Sequence, residues 1–459
     1  MEIVICSGLV LALIIFGVSV APSFLTGSLL YLMMVDQGFG AVASTAFYSL
    51  ERSSLLAIPL FMLAGGLMEA GGIAEQLINF ASSLLKKLKG SLGATIPLAS
   101  MFFGAISGSG TATVSALSTI MLPRLAKMGW DKRYTAALLA ASAPLGYMIP
   151  PNMNAILFSI VADVSISALF LATVIPGIIW GLGYIIINRI MFSKWHDPEM
   201  EKQTMEEEAK ERAEKAKAAG GENIKLPDLN ESYLAGLKRT FISAIPALLM
   251  PVIIFWGIYG GYFSPSEAGA VSGVYALLIG IVVYRRITMK NGASVFARNG
   301  MNLGGFMFII PMVHILSRYL VLEGVPQSIA AGIGNVTSNP IIIILLIDLV
   351  LVIAGFFLDA GVLILIVTPM LVPTANMIGL SLTQLAVIMF VCVGIGTVTP
   401  PMAMNLFITS KASGVPVADM IKPLVPMLVF VCIPILLLVT FVPELSLWLP
   451  ETVMGVNLR

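Results

Sequence analysis

The chain has 459 residues, 58% of them hydrophobic and only 11% charged, with a formal net charge of +1 and a mean hydropathy of +0.96. That composition excludes a soluble globular chain of ordinary charge and reads as an all-α polytopic membrane protein. The net charge alone identifies no partner, and no nucleic-acid partner is expected.

Taken in order, the first apolar run covers 3–21. No basic residue precedes it and no small-residue cleavage site follows, so it is expected to be a retained helix with a cytoplasmic N-terminus. Together with the mixed stretch 22–52 it makes an N-terminal scaffold segment, 1–52. A first unit, 53–188, contains simple spans at 54–72 and 166–188. Between them LINFASSLLKKLKG suits an interfacial amphipathic helix with its lysines at the headgroups. Residues 91–122 would form a helix of about 48 Å, too long for one crossing of about 30 Å. Its centre reads AISGSGTATVSA. Two half-helices meeting at Ser107-Gly108-Ser109-Gly110 fit better, as a re-entrant hairpin. Residues 133–165 carry Pro150-Pro151, which have no N–H to return and so break the helix.

A charged linker occupies 189–239, where mixed Glu, Lys and Ala suit a solvated cytoplasmic helix ending near Gly220 and Gly221. Scaffold helices and an arm follow over 240–303, with runs at 240–262 and 264–284. The second unit, 304–443, has spans at 304–322 and 424–443, a second hairpin at 340–373 turning at Gly355–Gly361, and a helix at 383–412 broken by Pro400-Pro401. A tail, 444–459, is expected on the periplasmic side.

The two units share a register. Pro150-Pro151 and Pro400-Pro401 lie 250 residues apart, as do Pro123 and Pro373, Gly129 and Gly379, and Pro176 and Pro426. An odd number of crossings separates the copies, so the second is inverted, the architecture of secondary transporters whose broken helices meet at mid-membrane. Charge placement agrees. With both hairpins re-entrant, all of the 26 Lys and Arg except Arg52, Arg318 and Arg459 fall on the cytoplasmic face.

Backbone that is not helical at that depth is tolerated only where protein buries it or water reaches it, which makes the breaks candidate sites. Ser107 and Ser109 hydroxyls, with carbonyls freed at Gly146 and Ile149, are hard oxygen donors for a small cation. Half-helix N-termini favour anions. In the second unit Asp359 is a carboxylate near mid-membrane, with freed carbonyls at Gly396 and Thr399. Cys6, Cys392 and Cys432 have no metal or redox spacing, GSGTATVS lacks the lysine of a phosphate loop, and two histidines make no zinc site.

At LLAIPLFMLAGGLMEAGGIAEQL, FFGAISGSGTATVSALSTIMLPRLAKMGWDKRYTAALLAASAPLGYMIPPN, GFFLDA and TPPMAMNLF the chain resembles the large membrane (M) subunit of tripartite ATP-independent periplasmic (TRAP) transporters. The resemblance implies an elevator-type, sodium-driven importer of small organic anions such as C4-dicarboxylates, sialic acid or sulfonates in the bacterial inner membrane. It also implies a small four-helix membrane (Q) subunit and a soluble periplasmic substrate-binding (P) protein as partners. It carries over Ser107, Ser109, Gly146, Ile149 and Pro151 for one Na+ site. Asp359, Gly361, Gly396, Thr399 and Pro401 follow for the other, partly by internal symmetry. Gly108, Gly110, Thr111, Asn152, Arg318 and Asn405 are the candidate substrate contacts.

Three departures stand out, one of them the charged linker, which exceeds the usual family connection. Gly394 occupies a position where the family commonly has an acid, and His314 and Arg318 fall where it is usually small and apolar. Arg318 suits an anion, snorkelling or a partner at Glu323, and His314 reads as a scaffold or subunit-interface residue rather than a proton carrier. A stand-alone sodium/anion symporter is the alternative within transport. An intramembrane aspartyl enzyme would need a second carboxylate beside Asp359, and the sequence supplies none at convincing spacing.

Overall fold

The computed structural model describes residues 2–204 and 233–459; the expected linker helix near Gly220 lies outside them. The described chain is all-α, its single extended pairing a bridge between Trp130 and His196. Among the described residues, seven helices are long and apolar enough to cross a membrane: 53–70, 166–195, 233–259, 265–283, 290–322, 360–377 and 417–441.

The first apolar run is a correction. Rather than one span it forms α1 (Glu2–Ile15) and α2 (Val20–Met34), turned at Gly17 with φ +86°. Fourteen residues reach about 21 Å, short of the hydrocarbon thickness. The two helices pack as a hairpin; a Cβ on Gly27 would lie 2.3 Å from Val10 Cγ2. The hairpin returns Cys6 to Met34. Beside Met34, Tyr31 donates its hydroxyl to Glu323 and packs its ring, tilted by 40°, against Tyr319 at 5.2 Å. Residue 2 therefore starts at the Glu323 end of the molecule, not at the opposite face as expected.

Then come α3 (Gly40–Leu50), a short 3-10 turn, α4 (Ala57–Ala70) and α5 (Ile73–Leu85). Helix α5 buries Ile73, Leu77, Ile78 and Ala81, spaced at i, i+4, i+5 and i+8, which is one helical face. The first hairpin is α6 (Ser91–Ser107) and α7 (Gly110–Lys127). The first broken helix is α8 (Lys132–Ser142), a single turn α9 (Leu145–Met148), and α10 (Met153–Ala162). Helix α11 (Ile166–Trp195) has 30 residues and is about 45 Å long.

The second half opens with α12 (Tyr233–Tyr259), α13 (Pro265–Leu278), α14 (Met289–Leu322) and α15 (Val325–Val336). A capping box starts α13. Ser264 Oγ accepts from Glu267 N, and Glu267 accepts from Ser264 N at 2.7 Å. The second hairpin is α16 (Pro340–Gly355) and α17 (Ala360–Met377), and the second broken helix α18 (Leu382–Gly396) and α19 (Met404–Ser413). Helices α20 (Val417–Met427), α21 (Ile433–Phe441) and α22 (Glu444–Met454) close the chain.

Helix α11 serves as a ruler for direction. At its C-terminal end Asp131 N donates to Trp195 O and Asp197 N to Gly129 O, both at 2.9 Å. Asn188 Nδ2 donates to Gly90 O at 3.0 Å. The start of α6 and the end of α7 thus lie at the same end, so the first hairpin returns to the face it left. At the other end of α11, Val164 shares a surface cleft with Asn376, Gly379 and Arg459, which places the close of α17 there. The start of α16 follows α15, which packs along α17 near Met377. The hairpins therefore open toward opposite ends of α11, as an inverted pair must.

Packing crosses between the halves. Helix α10 lies on α17 of the second hairpin, and α19 lies on α7 of the first. Trp180, Tyr184, Phe158 and Phe390 fill the core between them, each no more than 1% exposed. Outward surfaces carry Ile186, Ile190, Trp256, Val274 and Phe430, an apolar exterior that suits lipid. Three sequence boundaries fall inside helices: 188/189 in α11, 239/240 in α12 and 303/304 in α14. The tail is a helix packed on α11. Charge marks where hydrocarbon ends, whereas a helix continues into water while its Lys and Arg stems snorkel.

Candidate functional site

The first hairpin turns where small residues let it. Gly108 takes φ +59°, a left-handed conformation that glycine adopts without a Cβ penalty. Ser109 then caps α7, its Oγ accepting from Ala112 N at 3.4 Å. Hydroxyls concentrate at this tip. Thr113 Oγ1 donates to Ser109 O at 2.7 Å and lies 3.2 Å from Ser107 Oγ, while Ser109 Oγ lies 3.1 Å from Thr111 Oγ1.

The tip rests on the first helix break. A Cβ on Gly104 would lie 2.7 Å from Gly146 Cα, one on Gly146 2.3 Å from Thr113 Oγ1, and one on Gly108 2.8 Å from Pro151 O. Only glycine permits backbones this close. Pro150 and Pro151 have no N–H for the carbonyls of Gly146 and Tyr147, and Met153 N donates instead to Gly108 O at 3.4 Å. The ordinary i+4 donors of Gly146, Tyr147 and Ile149 are therefore missing or diverted. Tyr147 is an addition to the carbonyls expected from sequence.

A related contact builds the second tip. Gly396 packs on Gly355, where a Cβ on Gly396 would lie 2.5 Å from Gly355 C. Asp359 caps α17, its Oδ2 accepting from Gly361 N at 3.1 Å. Here the structure corrects one expectation. Thr399 N donates to Gly396 O at 3.1 Å, so a tight turn engages the Gly396 carbonyl that the Pro-Pro break was expected to free. Both Pro-Pro bonds are cis.

The two tips meet at one cavity of about 240 Å³. Its wall combines Gly108, Ser109, Gly110 and Thr111 of the first tip with Asp359 and Gly361 of the second, and adds Asn405. Tyr147 and Thr397 bridge the halves, their hydroxyls 3.3 Å apart, and Asn405 Nδ2 donates to Thr397 Oγ1 at 3.1 Å. Among the described residues Asp359 is the only carboxylate in this wall; Asp348 accepts from Thr440 Oγ1 at 2.9 Å elsewhere in the core.

A second cavity of about 450 Å³ adjoins the first tip and shares Met62, Ser109, Thr111 and Met153 with the central one. Ser107 lines it, facing Gly65 and Gly66 of α4 and Asn299 of α14. Glu69 and Arg298 flank it as an ion pair at 3.7 Å.

Gly146, Ile149, Pro151, Gly396, Thr399 and Pro401 line neither cavity; Gly146 and Pro151 back the first tip and Gly396 packs on the second hairpin at Gly355. Asn152 is 1% exposed and committed to structure, accepting from Ala155 N at 2.7 Å and donating to Thr173 Oγ1 at 3.4 Å. Arg318 lies away from both, donating to Thr45 Oγ1 at 2.9 Å, and Glu323 pairs with Tyr31 instead of with it. Sequence reasoning missed Tyr147, Thr397, Glu69 and Arg298. The first two were accessible, since they obey the same 250-residue register as the prolines. The Gly394 departure also has a cause: a Cβ there would lie 2.6 Å from Trp180 Cη2 and 3.0 Å from Pro144 Cβ, which leaves no room for an acid.

Many apolar spans, opposed hairpins and a polar cavity enclosed where their tips meet define a multi-pass membrane protein of the permease class. Residues 7–445 match the family described as tripartite ATP-independent periplasmic transporter, DctM component, and the chain belongs to that family. It is 32% identical to the C4-dicarboxylate TRAP transporter large permease of Pseudomonas aeruginosa, over 93% of each chain. It is 30% identical to the sialic acid TRAP transporter large permease of Vibrio cholerae, over 97% of each. An isethionate TRAP transporter permease of Oleidesulfovibrio alaskensis is 31% identical over 89% of this chain and 60% of that longer one. Among solved structures, the YdaH transporter of Alcanivorax borkumensis shares the fold with TM-score 0.57 at 12% identity, covering 90% of this chain and 89% of that one.

Proposed function

We propose that this chain is the permease subunit of a sodium-coupled, binding-protein-dependent importer of small organic anions in the bacterial inner membrane. The observation that carries the reading is the meeting of two opposed hairpin tips at one cavity, each tip held against a Pro-Pro break. Relatives named for C4-dicarboxylate, sialic acid and isethionate transport support an anionic cargo.

The donor set suits a hard monovalent cation. Around the first tip, Ser107 and Ser109 hydroxyls and the carbonyls of Gly146, Tyr147 and Ile149 supply neutral oxygens, a low charge density that disfavours a divalent ion. Asp359 contributes the one full charge at the second tip. When bound, Na+ supplies positive charge that holds these oxygens together. Tip order then makes the cavity competent for substrate, a population shift with no covalent step. The half-helix starts at Gly110 and Ala360 direct backbone N–H groups toward the cargo.

Movement follows an elevator mechanism, in which hairpins and broken helices slide past α4 and α14. Gly65, whose Cβ would lie 3.0 Å from Ser107 Cα, supports such a smooth contact. The partners are the small four-helix Q subunit and the periplasmic P protein; the longer isethionate relative, named for both M and Q components, supports the former. Both termini belong to the periplasmic face, opposite the basic clusters.

Uptake in proteoliposomes holding this chain with its small subunit tests the reading. It is expected to require both an inward sodium gradient and loaded binding protein. Uptake that persists without sodium would overturn the coupling, and uptake without the binding protein would favour a stand-alone symporter.

A further inference from the structure

Away from the central cavity, Arg52, His314 and Arg318 line one cavity of about 370 Å³. Among the described residues it shares no lining residue with the central cavity, and no carboxylate belongs to its wall. The guanidiniums are held from two sides. Arg52 donates to the Ile160 carbonyl at the end of α10, and Arg318 Nη1 donates to Thr45 Oγ1 at 2.9 Å. Each bond uses one of five N–H donors. Among the described residues neither arginine has a carboxylate within ion-pair distance.

Tyr48 and Ser49 add hydroxyl-bearing side chains to the same wall, while Ile160, Leu365 and Pro369 form an apolar side. A fork of cationic donors beside an apolar wall matches an anionic head carried on a carbon skeleton. The location is equally informative. Ile160 is one turn from Val164, which neighbours Arg459, so the cavity opens near the end of the molecule that lacks the basic clusters. By the positive-inside argument that is the outer face. Arg52 and Arg318 both lie at that end, and the fold places them together.

We propose that this cavity is an outer-face anion site, taking the carboxylate, sulfonate or phosphate group of a small organic acid or of a lipid headgroup before or apart from the central cavity. It stands independently of sodium coupling, because its geometry involves neither tip.

The full chain with its small subunit, reconstituted in phosphatidylcholine nanodiscs, provides the test. The thermal midpoint is titrated with succinate and with isethionate, then measured with phosphatidylglycerol introduced into the bilayer. At least one probe is expected to raise the midpoint. Arg318→Gln and Arg52→Gln are each expected to weaken the apparent affinity about tenfold, in line with loss of a charge-assisted hydrogen bond. Gly273→Ala, where a Cβ would have nothing within 4 Å, is expected to leave that response unchanged. A response to the acids assigns the site to small organic anions, and a response to phosphatidylglycerol alone assigns it to a headgroup. The proposal is overturned if no probe shifts the midpoint, or if the shift survives Arg318→Gln. Should Arg52→Gln not fold, Arg318→Gln decides alone; Arg318→Lys, which keeps charge but loses the fork, is expected to fall between.

Discussion

Replacing Gly396 by Ala isolates the contact on which the second tip depends. The added Cβ would lie 2.5 Å from Gly355 C, 2.6 Å from its Cα and 2.8 Å from its O. All three are backbone atoms, so no side chain can rotate away. Ordinary contact would require α16 and α18 to separate by about 1 Å, and overpacking of this kind costs about 1–3 kcal/mol. Alanine returns up to about 1 kcal/mol of helix propensity, so the net loss of stability is only about 0–2 kcal/mol. Function is expected to suffer more, because misplacing binding groups by about 1 Å can cost on the order of 100-fold. Sodium-dependent uptake in proteoliposomes and thermal unfolding, measured on the same preparation, separate the two effects. Gly273→Ala is the control, since a Cβ there has nothing within 4 Å. Uptake by Gly396→Ala that equals the control's would refute the claim that the Gly355–Gly396 approach positions the tip.

Other consequences follow from the same geometry. Ser107→Ala and Asp359→Asn should each shift the sodium dependence of uptake to higher concentration without unfolding the chain, and unchanged sodium titrations in both would sink the ion-site assignment. Asn152→Ala should lower stability by about 1 kcal/mol through loss of the α10 cap, read as a lower unfolding midpoint, while the sodium dependence stays put. Gly394→Glu should prevent accumulation of folded protein because Trp180 occupies the space; normal monodisperse yield would contradict the packing. At the basic face, hydrogen bonding from Arg133 holds Asp131 below the ordinary carboxylate range. A depressed folded-state value stabilises at pH above the unfolded one, so this contribution is intact above about pH 4 and is lost as pH falls further. Asp131→Asn should flatten that part of the acid limb in pH-dependent unfolding.

Several features were legible from the residues themselves. Hydrophobic runs and the excess length of 91–122 require apolar helices and a break, because span length is set by hydrocarbon thickness and helix rise. Proline's missing N–H makes the breaks at 150–151 and 400–401 local facts, and the 250-residue register pairs them. Tyr147 and Thr397 were within reach of that register, yet it could not tell that their hydroxyls meet across the halves. The α1–α2 turn is an intermediate case: Gly17 permits it, but the contact of Gly27 with Val10 decides it.

What only the tertiary structure decided is which groups remain available. Asn152 and Asn405 look alike as polar residues near a break, yet one is consumed by a cap and the other lines the cavity. Gly396 loses its expected free carbonyl to Thr399, a choice of turn that a missing N–H at position 400 does not dictate. Arg52 and Arg318, 266 positions apart in the sequence, converge on one cavity because α3 packs on α14. Local chemistry determines where a membrane helix must end or break, since that depends on a residue and its near neighbours. Whether a donor is spent or free depends on what packs opposite it, and that is a property of the fold.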